Sequence, residues 1–436
     1  MSDRAKVSVG LMGLGVVGSG VARILAEKAA HYTHQLGCPL NLTRVLVRDP
    51  KKNRAVDIER ALLTTDPAAI LGDPDIDIVI EVIGGEEPAH QYIREALHAG
   101  KSVVTGNKEV MAKHGPALLA LAQERGVDLL YEASVGGGIP IIAPLKRDLL
   151  ANDIVAISAI INGTTNYILT SMSQEGRSFE QALVQAQQLG YAETDPTNDV
   201  EGIDAAYKLA ILASLAFHGQ VSPDQVYREG ITSLAERDFR YAGELGYAIK
   251  LLATARRSEE GVQARVHPAM LPDQEPLAKV DGVLNAVQVE GDLLGRTLFE
   301  GPGAGSLPTT SAVVADLLDA ARNVVSGTRE RLAWRPDESG PLHIVSMGEL
   351  RTRYYLRITV IDRPGVLAQI AQVLGDTGIS IASVLQKEAD QAAQTAELVI
   401  MTHEAQEAAM QRSLDLLRGL ESVPQIGTFL RVEDER

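Results

Sequence analysis

Apolar runs of strand length alternate with helix-period stretches over the first third of the chain. The runs are Val7–Met12, Leu42–Val47, Ile76–Val82, Ser102–Thr105 and Asp128–Tyr131. Between them, apolar residues return at helical spacing near Val17–Ala30, Pro88–His98 and Pro116–Glu124. Strand and helix in alternation predict an α/β region, a parallel sheet doubly wound with helices on both faces. After residue 150 the pattern changes. Ile154–Ile161 predicts a β-branched strand, and helices follow at about Ser178–Gln188 and Val200–Phe217. Further strands fall at about Ile249–Ala255, Val262–Pro268, Val283–Val289 and Asp292–Phe299, which makes this an α+β region. Thr309–Asn323 predicts a long amphipathic helix that returns to the first domain.

Ser326–Gly340 is polar, contains Gly and Pro, and predicts a linker. Beyond it the order is strand (Tyr354–Val360), turn (Asp362–Gly365), helix (Val366–Leu374), strand (Ile379–Gln386), strand (Thr395–Thr402), helix (Ala405–Leu417) and strand (Ile426–Arg431). That order is βαββαβ, a ferredoxin-like unit. The expected division is 1–140, completed by about 301–325; then 141–300; a linker at 326–349; and a small domain at 350–436.

Composition narrows the class. The chain has 436 residues, 45% of them hydrophobic and 22% charged, which suits a soluble protein with real cores. A net charge of −16 with no basic stripe argues against nucleic-acid or anionic-membrane partners. Cys38 is the single cysteine, so no disulfide forms within the chain, as expected in a reducing compartment such as the cytoplasm. The N-terminus reads as strand, glycine turn and helix rather than as a signal peptide, and no apolar run is long enough to span a membrane.

Gly13-Leu-Gly15-Val16-Val17-Gly18 supplies the first chemistry. This GxGxxG follows a predicted strand and opens a predicted helix, the context that makes a Rossmann-type dinucleotide site. The first glycine makes the turn, the second admits a pyrophosphate, and the third lets helix and strand pack closely. The free N–H groups at the start of the helix then face phosphate. At the end of the second strand a carboxylate would bind the ribose 2′-OH of NAD, and an arginine would accept the 2′-phosphate of NADP. Arg48 fills that place, with Lys51 and Lys52 behind it, so NADP is favoured; Asp49 leaves NAD open.

Ala186–Lys208 supplies the second. It gathers Glu193, Asp195, Asp199, Glu201, Asp204 and Lys208 ahead of an apolar helix. Asp204 and Lys208 stand i, i+4 and share a helix face. A lysine at the mouth of a buried helix with acids around it can donate a proton. The same spacing is also that of an ordinary helix ion pair.

The wider pattern resembles homoserine dehydrogenase. The segment has that family's spacing of Ala186, Gly190, Tyr191, Asp195, Pro196, Asp199, Gly202, Asp204 and Lys208. Thr105-Gly-Asn-Lys108, Glu132 to Pro140, Asn162 to Tyr167 and Gly301 to Gly305 match in order. The small domain resembles an ACT domain, which Asp362-Arg-Pro-Gly365-Val366-Leu367 opens. The resemblance implies reversible, nicotinamide-dependent reduction of aspartate 4-semialdehyde to homoserine, with Lys208 as proton donor. Lys108 would contact cofactor and hydroxyl and assist the transfer; two such lysines lower each other's proton affinity. Gly13, Gly15, Val16, Val17, Gly18, Arg48, Thr105 and Gly303 would bind cofactor. Glu193 and Asp204 would bind the substrate's ammonium, supported by Asp199, with Gly190, Thr164 and Tyr191 as further contacts. Glu132 and the carbonyls of Val135, Gly137 and Ile139 would hold a monovalent cation, Na+, as hard oxygen ligands do; the alternative is a tight interdomain turn. The ACT domain, at Asp362, Gly365, Val366 and Leu367, would bind a regulatory amino acid such as threonine or serve only to dimerise. A homodimer or homotetramer is expected.

Two other functions remain open from the residues alone: a different amino-acid dehydrogenase on the same scaffold, and a non-catalytic sensor of nucleotide and amino acid. His31 and His34 are expected to be surface residues, and Trp334 to pack the linker down.

Overall fold

The computed structural model describes residues 5–54, 56–329, 340–390 and 392–433. The expected packing of Trp334 lies outside the described residues. The chain divides into two compact units. The first comprises Met1–Ile157, Tyr207–Val226 and Leu284–Leu342; the second comprises Ser158–Ala206, Tyr227–Val283 and His343–Arg436.

The first unit is built on six parallel strands: β1 (Val7–Met12), β2 (Leu40–Leu46), β3 (Leu63–Thr64), β4 (Ile78–Glu81), β5 (Ser102–Thr105) and β6 (Leu129–Leu130). Their order across the sheet is β3-β2-β1-β4-β5-β6, a doubly wound sheet whose winding reverses beside β1. Near-continuous apolar runs form these strands because both faces are covered. Val7, Val9 and Leu11 pack with Ile78, Ile80 and Val104 and with the Ser306–Ser326 helix through Val313, Leu317 and Ala321. That long helix therefore completes the core of the first 140 residues.

Predicted elements mostly stand where the pattern put them, with β1 and β5 matching residue for residue. The helix expected from Pro116 starts earlier, as Lys108–Arg125, and carries Pro116 inside it. The reason is local: the Asn107 side chain accepts the Val110 N–H and caps the helix ahead of the proline. The first helix also stops early, at Glu27, and a separate helix follows at Ala29–Leu36.

In the second unit the strands Tyr247–Ser258 and Gly261–Pro272 form an antiparallel hairpin. The C-terminal βαββαβ unit adds Arg351–Ile361, Ile381–Asp390, Thr395–Thr402 and Gln425–Val432, with helices Val366–Asp376 and Glu407–Arg418. Strand Gln425–Val432 joins this sheet to the hairpin, pairing Ala269 with Arg431 and Met270 with Val432. Period-2 alternation splits the Arg351–Ile361 strand. Tyr354, Leu356, Ile358 and Val360 face the unit's two helices, while Tyr355 and Arg357 face the helix Glu236–Glu244. A helix at Gly163–Glu175 has no counterpart in the sequence prediction. No described helix is long and apolar enough to cross a membrane.

Candidate active site

The glycine turn stands as expected between β1 and the helix Val16–Glu27. Gly13 has φ +102° and lies so close to the loop after β4 that a Cβ would fall 2.8 Å from the Val82 carbonyl oxygen. A Cβ on Gly18 would overlap the Gly13 carbonyl oxygen itself. Gly15 differs, since a Cβ there meets nothing within 4 Å. The fold does not demand that glycine, whereas a ligand approaching the backbone does. The helix has no side-chain cap at Gly15, so its first N–H groups face outward, and Val16 is 72% exposed. A cleft of ≈ 350 Å³ opens here, and Arg23, Lys52 and Arg54 line it with cationic charge. Arg54 is steadied by donating to the carbonyls of Lys52 (2.8 Å) and Asp49 (2.6 Å). Arg48 is exposed just past β2. The sequence reading missed Arg23 and Arg54, which folding alone brings to the cleft.

Thr105 ends β5, fully buried, and Lys108 begins the next helix, half-buried. The segment from Glu132 to Ile139 is buried apart from Gly138. Oε1 of Glu132 accepts the N–H groups of Ile141 (2.6 Å) and Ile142 (2.8 Å), and Oε2 accepts that of Ala143 (2.7 Å). Among the described residues no hydrogen bond reaches the carbonyls of Val135, Gly137 or Ile139. Carbonyls on a buried segment that begins at a carboxylate are the oxygen ligands a hard cation takes. Gly137 backs onto Gly303, whose own Cβ would overlap the side-chain amide of Asn285. Asn285 is 1% exposed, and both its amide atoms lack a partner among the described residues.

The helix Ile203–Ala216 carries Asp204, buried within the second unit, and Lys208 one turn on, half-buried within the first. In the second unit, Nδ2 of Asn162 donates to Asp199 Oδ1 (2.7 Å) and to Asp204 Oδ2 (2.9 Å). One amide thus holds two carboxylates side by side. Asn162 also caps the Gly163–Glu175 helix, its Oδ1 accepting the Thr165 N–H at 2.9 Å. Thr164, buried in that first turn, donates to the Tyr191 carbonyl at 2.6 Å. Gly190, Tyr191 and Glu193 are exposed, and the Tyr191 ring leans on Tyr167 at 5.0 Å between centroids. Asn162 was missed as a functional residue; its Asn-Gly-Thr-Thr setting was the available signal. In the C-terminal unit, Asp362 and Leu367 are exposed, Gly365 (φ +90°) opens the Val366–Asp376 helix, and Val366 enters the core.

Comparison with known proteins places these features. Residues 13–132 match the model "Homoserine dehydrogenase, NAD binding domain", residues 140–318 match "Homoserine dehydrogenase", and residues 354–421 match "ACT domain". The homoserine dehydrogenase of Pseudomonas aeruginosa is 43% identical over 98% of this chain and 99% of its own length. A crystal structure of a homoserine dehydrogenase from Thiobacillus denitrificans is 44% identical and superposes with a TM-score of 0.92, covering 98% of each chain. A hyperthermophilic archaeal homoserine dehydrogenase in complex with NADPH is 30% identical, with a TM-score of 0.62, over 72% of this chain and 97% of its own. The chain belongs to the homoserine dehydrogenase family, NAD(P)-dependent oxidoreductases acting on a CH–OH group, and ends in an ACT domain.

Proposed function

We propose that the chain reduces L-aspartate 4-semialdehyde to L-homoserine, reversibly and with NADP in preference to NAD, under control of threonine through its ACT domain. That role belongs to threonine, methionine and isoleucine biosynthesis. The paired carboxylates Asp199 and Asp204, held by one amide, with Asp204 and Lys208 on the same helix, carry the reading. Residues 1–140 with about 301–325 hold the cofactor, 141–300 take the substrate and dimerise, and 350–436 regulate. The assembly is a homodimer or homotetramer.

A nicotinamide dinucleotide held through its pyrophosphate at the glycine turn would supply or accept the hydride at the substrate's terminal carbon. The uncapped helix start and Gly15 accept the pyrophosphate, while Arg23, Lys52 and Arg54, with Arg48 nearby, favour a 2′-phosphate. Negative charge develops on the aldehyde oxygen as hydride arrives. The Lys208 ammonium stabilises that charge and delivers the proton to oxygen; in the oxidative direction its amine takes the proton back. Lys108 orients the same oxygen. Glu193 and Asp204 bind the α-ammonium, and Asp199 supports Asp204 through Asn162. Glu132 with the carbonyls of Val135, Gly137 and Ile139 would hold Na+, fixing the loop that Gly303 packs against.

Absorbance at the reduced-nicotinamide band tests the reading, with L-homoserine and either NADP or NAD, with and without L-threonine and monovalent salt. The expected result is homoserine-dependent reduction, faster with NADP, slowed by threonine and by salt removal. A folded sample that reduces neither cofactor contradicts the reading.

A further inference from the structure

Glu81 is an ionisable side chain where the fold asks for none. It closes β4 after Ile78, Val79 and Ile80, is fully buried, and lies in register with Thr105 of β5. Every group that faces it is a donor. Oε2 accepts the Thr105 hydroxyl at 2.6 Å, and Oε1 accepts the Ile83 N–H at 2.7 Å. The Gly84 N–H and the Asn107 side chain are also turned toward it. Among the described residues it has no cationic partner. Burial pushes its carboxyl above the usual carboxylate range, and these donors pull back. An aliphatic side chain there would serve stability better.

What the carboxylate does is join segments that face the cofactor. Thr105 Oγ1, while donating to Glu81, accepts the Asn107 N–H at 3.0 Å. Asn107 donates to the Gly85 carbonyl at 2.7 Å and caps the helix that starts at Lys108. Val82, the next residue, donates to the Met12 carbonyl at 3.0 Å and presses on Gly13. The glycine turn, the 82–85 loop and the Thr105–Lys108 loop are therefore tied to one buried side chain. In a doubly wound sheet the β4 and β5 ends serve the nicotinamide half of a dinucleotide.

We propose that Glu81 is a positioning residue for the dehydrogenase reaction, setting Thr105 and Lys108 against the nicotinamide by accepting hydrogen bonds from both loops. This rests on the cofactor and Lys108 assignments above. A carboxylate is required because it only accepts; a glutamine turns an NH2 donor onto groups that are already donors.

The test compares Glu81→Gln, Thr105→Val and the double variant in the full-length protein. It measures reduced-cofactor affinity by NADPH fluorescence, kcat, KM for homoserine and Tm. Each single variant is expected to lose roughly tenfold or more in NADPH affinity or kcat, the order of one hydrogen bond to a charged group. The homoserine KM should stay within about threefold, and the double variant should be no worse than the poorer single, because both break one link. Single variants that keep NADPH affinity and kcat overturn the proposal. So do losses that add in the double variant, or that merely follow Tm. NADPH affinity reads out without turnover, so a wild-type protein inactive on homoserine would overturn the assigned reaction while leaving the Glu81 link measurable.

Discussion

The cofactor-facing end of the first sheet and the inner face of the C-terminal sheet are built from opposite materials. The first is shaped by main chain: glycines that let carbonyls nearly touch, and N–H groups left without caps. The second is shaped by buried charge. Asp238 on the Glu236–Glu244 helix accepts from Arg357 at 2.6 and 3.1 Å, from Tyr355 at 3.2 Å and from Thr428 at 2.7 Å. Glu397 accepts from Arg357 at 3.0 Å and from Tyr241 at 2.6 Å. A surface made of backbone can shape itself to a ligand, and it fails when a single methyl is added. A surface made of paired ions specifies which elements meet, and it fails when one partner is removed.

Removing one partner should have the largest effect on stability. Asp238→Ala takes the carboxylate from Arg357 Nε and Nη2, leaving Glu397 on Nη1, and should cost about 3–5 kcal/mol in urea unfolding. Loss of less than 1 kcal/mol would show that the ionic face is idle. Gly18→Ala should follow, on the order of 3 kcal/mol for overpacking against rigid backbone, with cofactor affinity falling too. Fluorescence titration and thermal melts should therefore move together in that variant.

Acid should attack the charged region. His267 is fully buried; it accepts from Arg265 at Nε2 (3.2 Å) and meets the Pro268 carbonyl through Nδ1 (3.0 Å), the pattern of a neutral ring. Burial, then Arg431 and Arg265, push its pKa down from 6.5 to about 4. Between those values the unfolded chain binds a proton that the native state refuses. Stability from this site is thus present above pH 6.5 and lost as pH falls toward 4, about 3 kcal/mol in all. Urea midpoints that stay level across that window would contradict the neutral, buried ring.

The smallest effect is the sharpest contrast. Gly15→Ala fits the fold, so Tm should hold while NADPH affinity drops roughly tenfold, about 1.4 kcal/mol. Unchanged affinity would remove the ligand from this turn.

Legibility in the sequence followed the same divide. β1, the glycine turn and β5 were readable because local pattern and turn chemistry determine them. Lys108–Arg125 was misplaced because Pro116 looks like a start signal, and only the Asn107 cap reveals the true one. Gly163–Glu175 was missed because Asn-Gly-Thr-Thr reads as a turn until Asn162 is seen to cap it. In the candidate site, Asp204 and Lys208 show an i, i+4 spacing that an ordinary helix ion pair shares, and the family resemblance is what singles them out. Asn162 stands 37 and 42 residues away from its acids, outside any such spacing. Arg357 meets Asp238 across 119 residues, a pairing that no local pattern carries. Glu81 falls inside the predicted strand Ile76–Val82, where nothing local marks the hydrogen bonds it accepts.

Proton transfer by Lys208 is the central claim, and Lys208→Ala tests it most directly. Homoserine oxidation and NADPH affinity should be measured on the same preparation of the variant. The account predicts that kcat falls by about 10²–10⁴ while NADPH affinity stays within about threefold. A Lys208→Ala enzyme that keeps kcat near the wild-type value would contradict it.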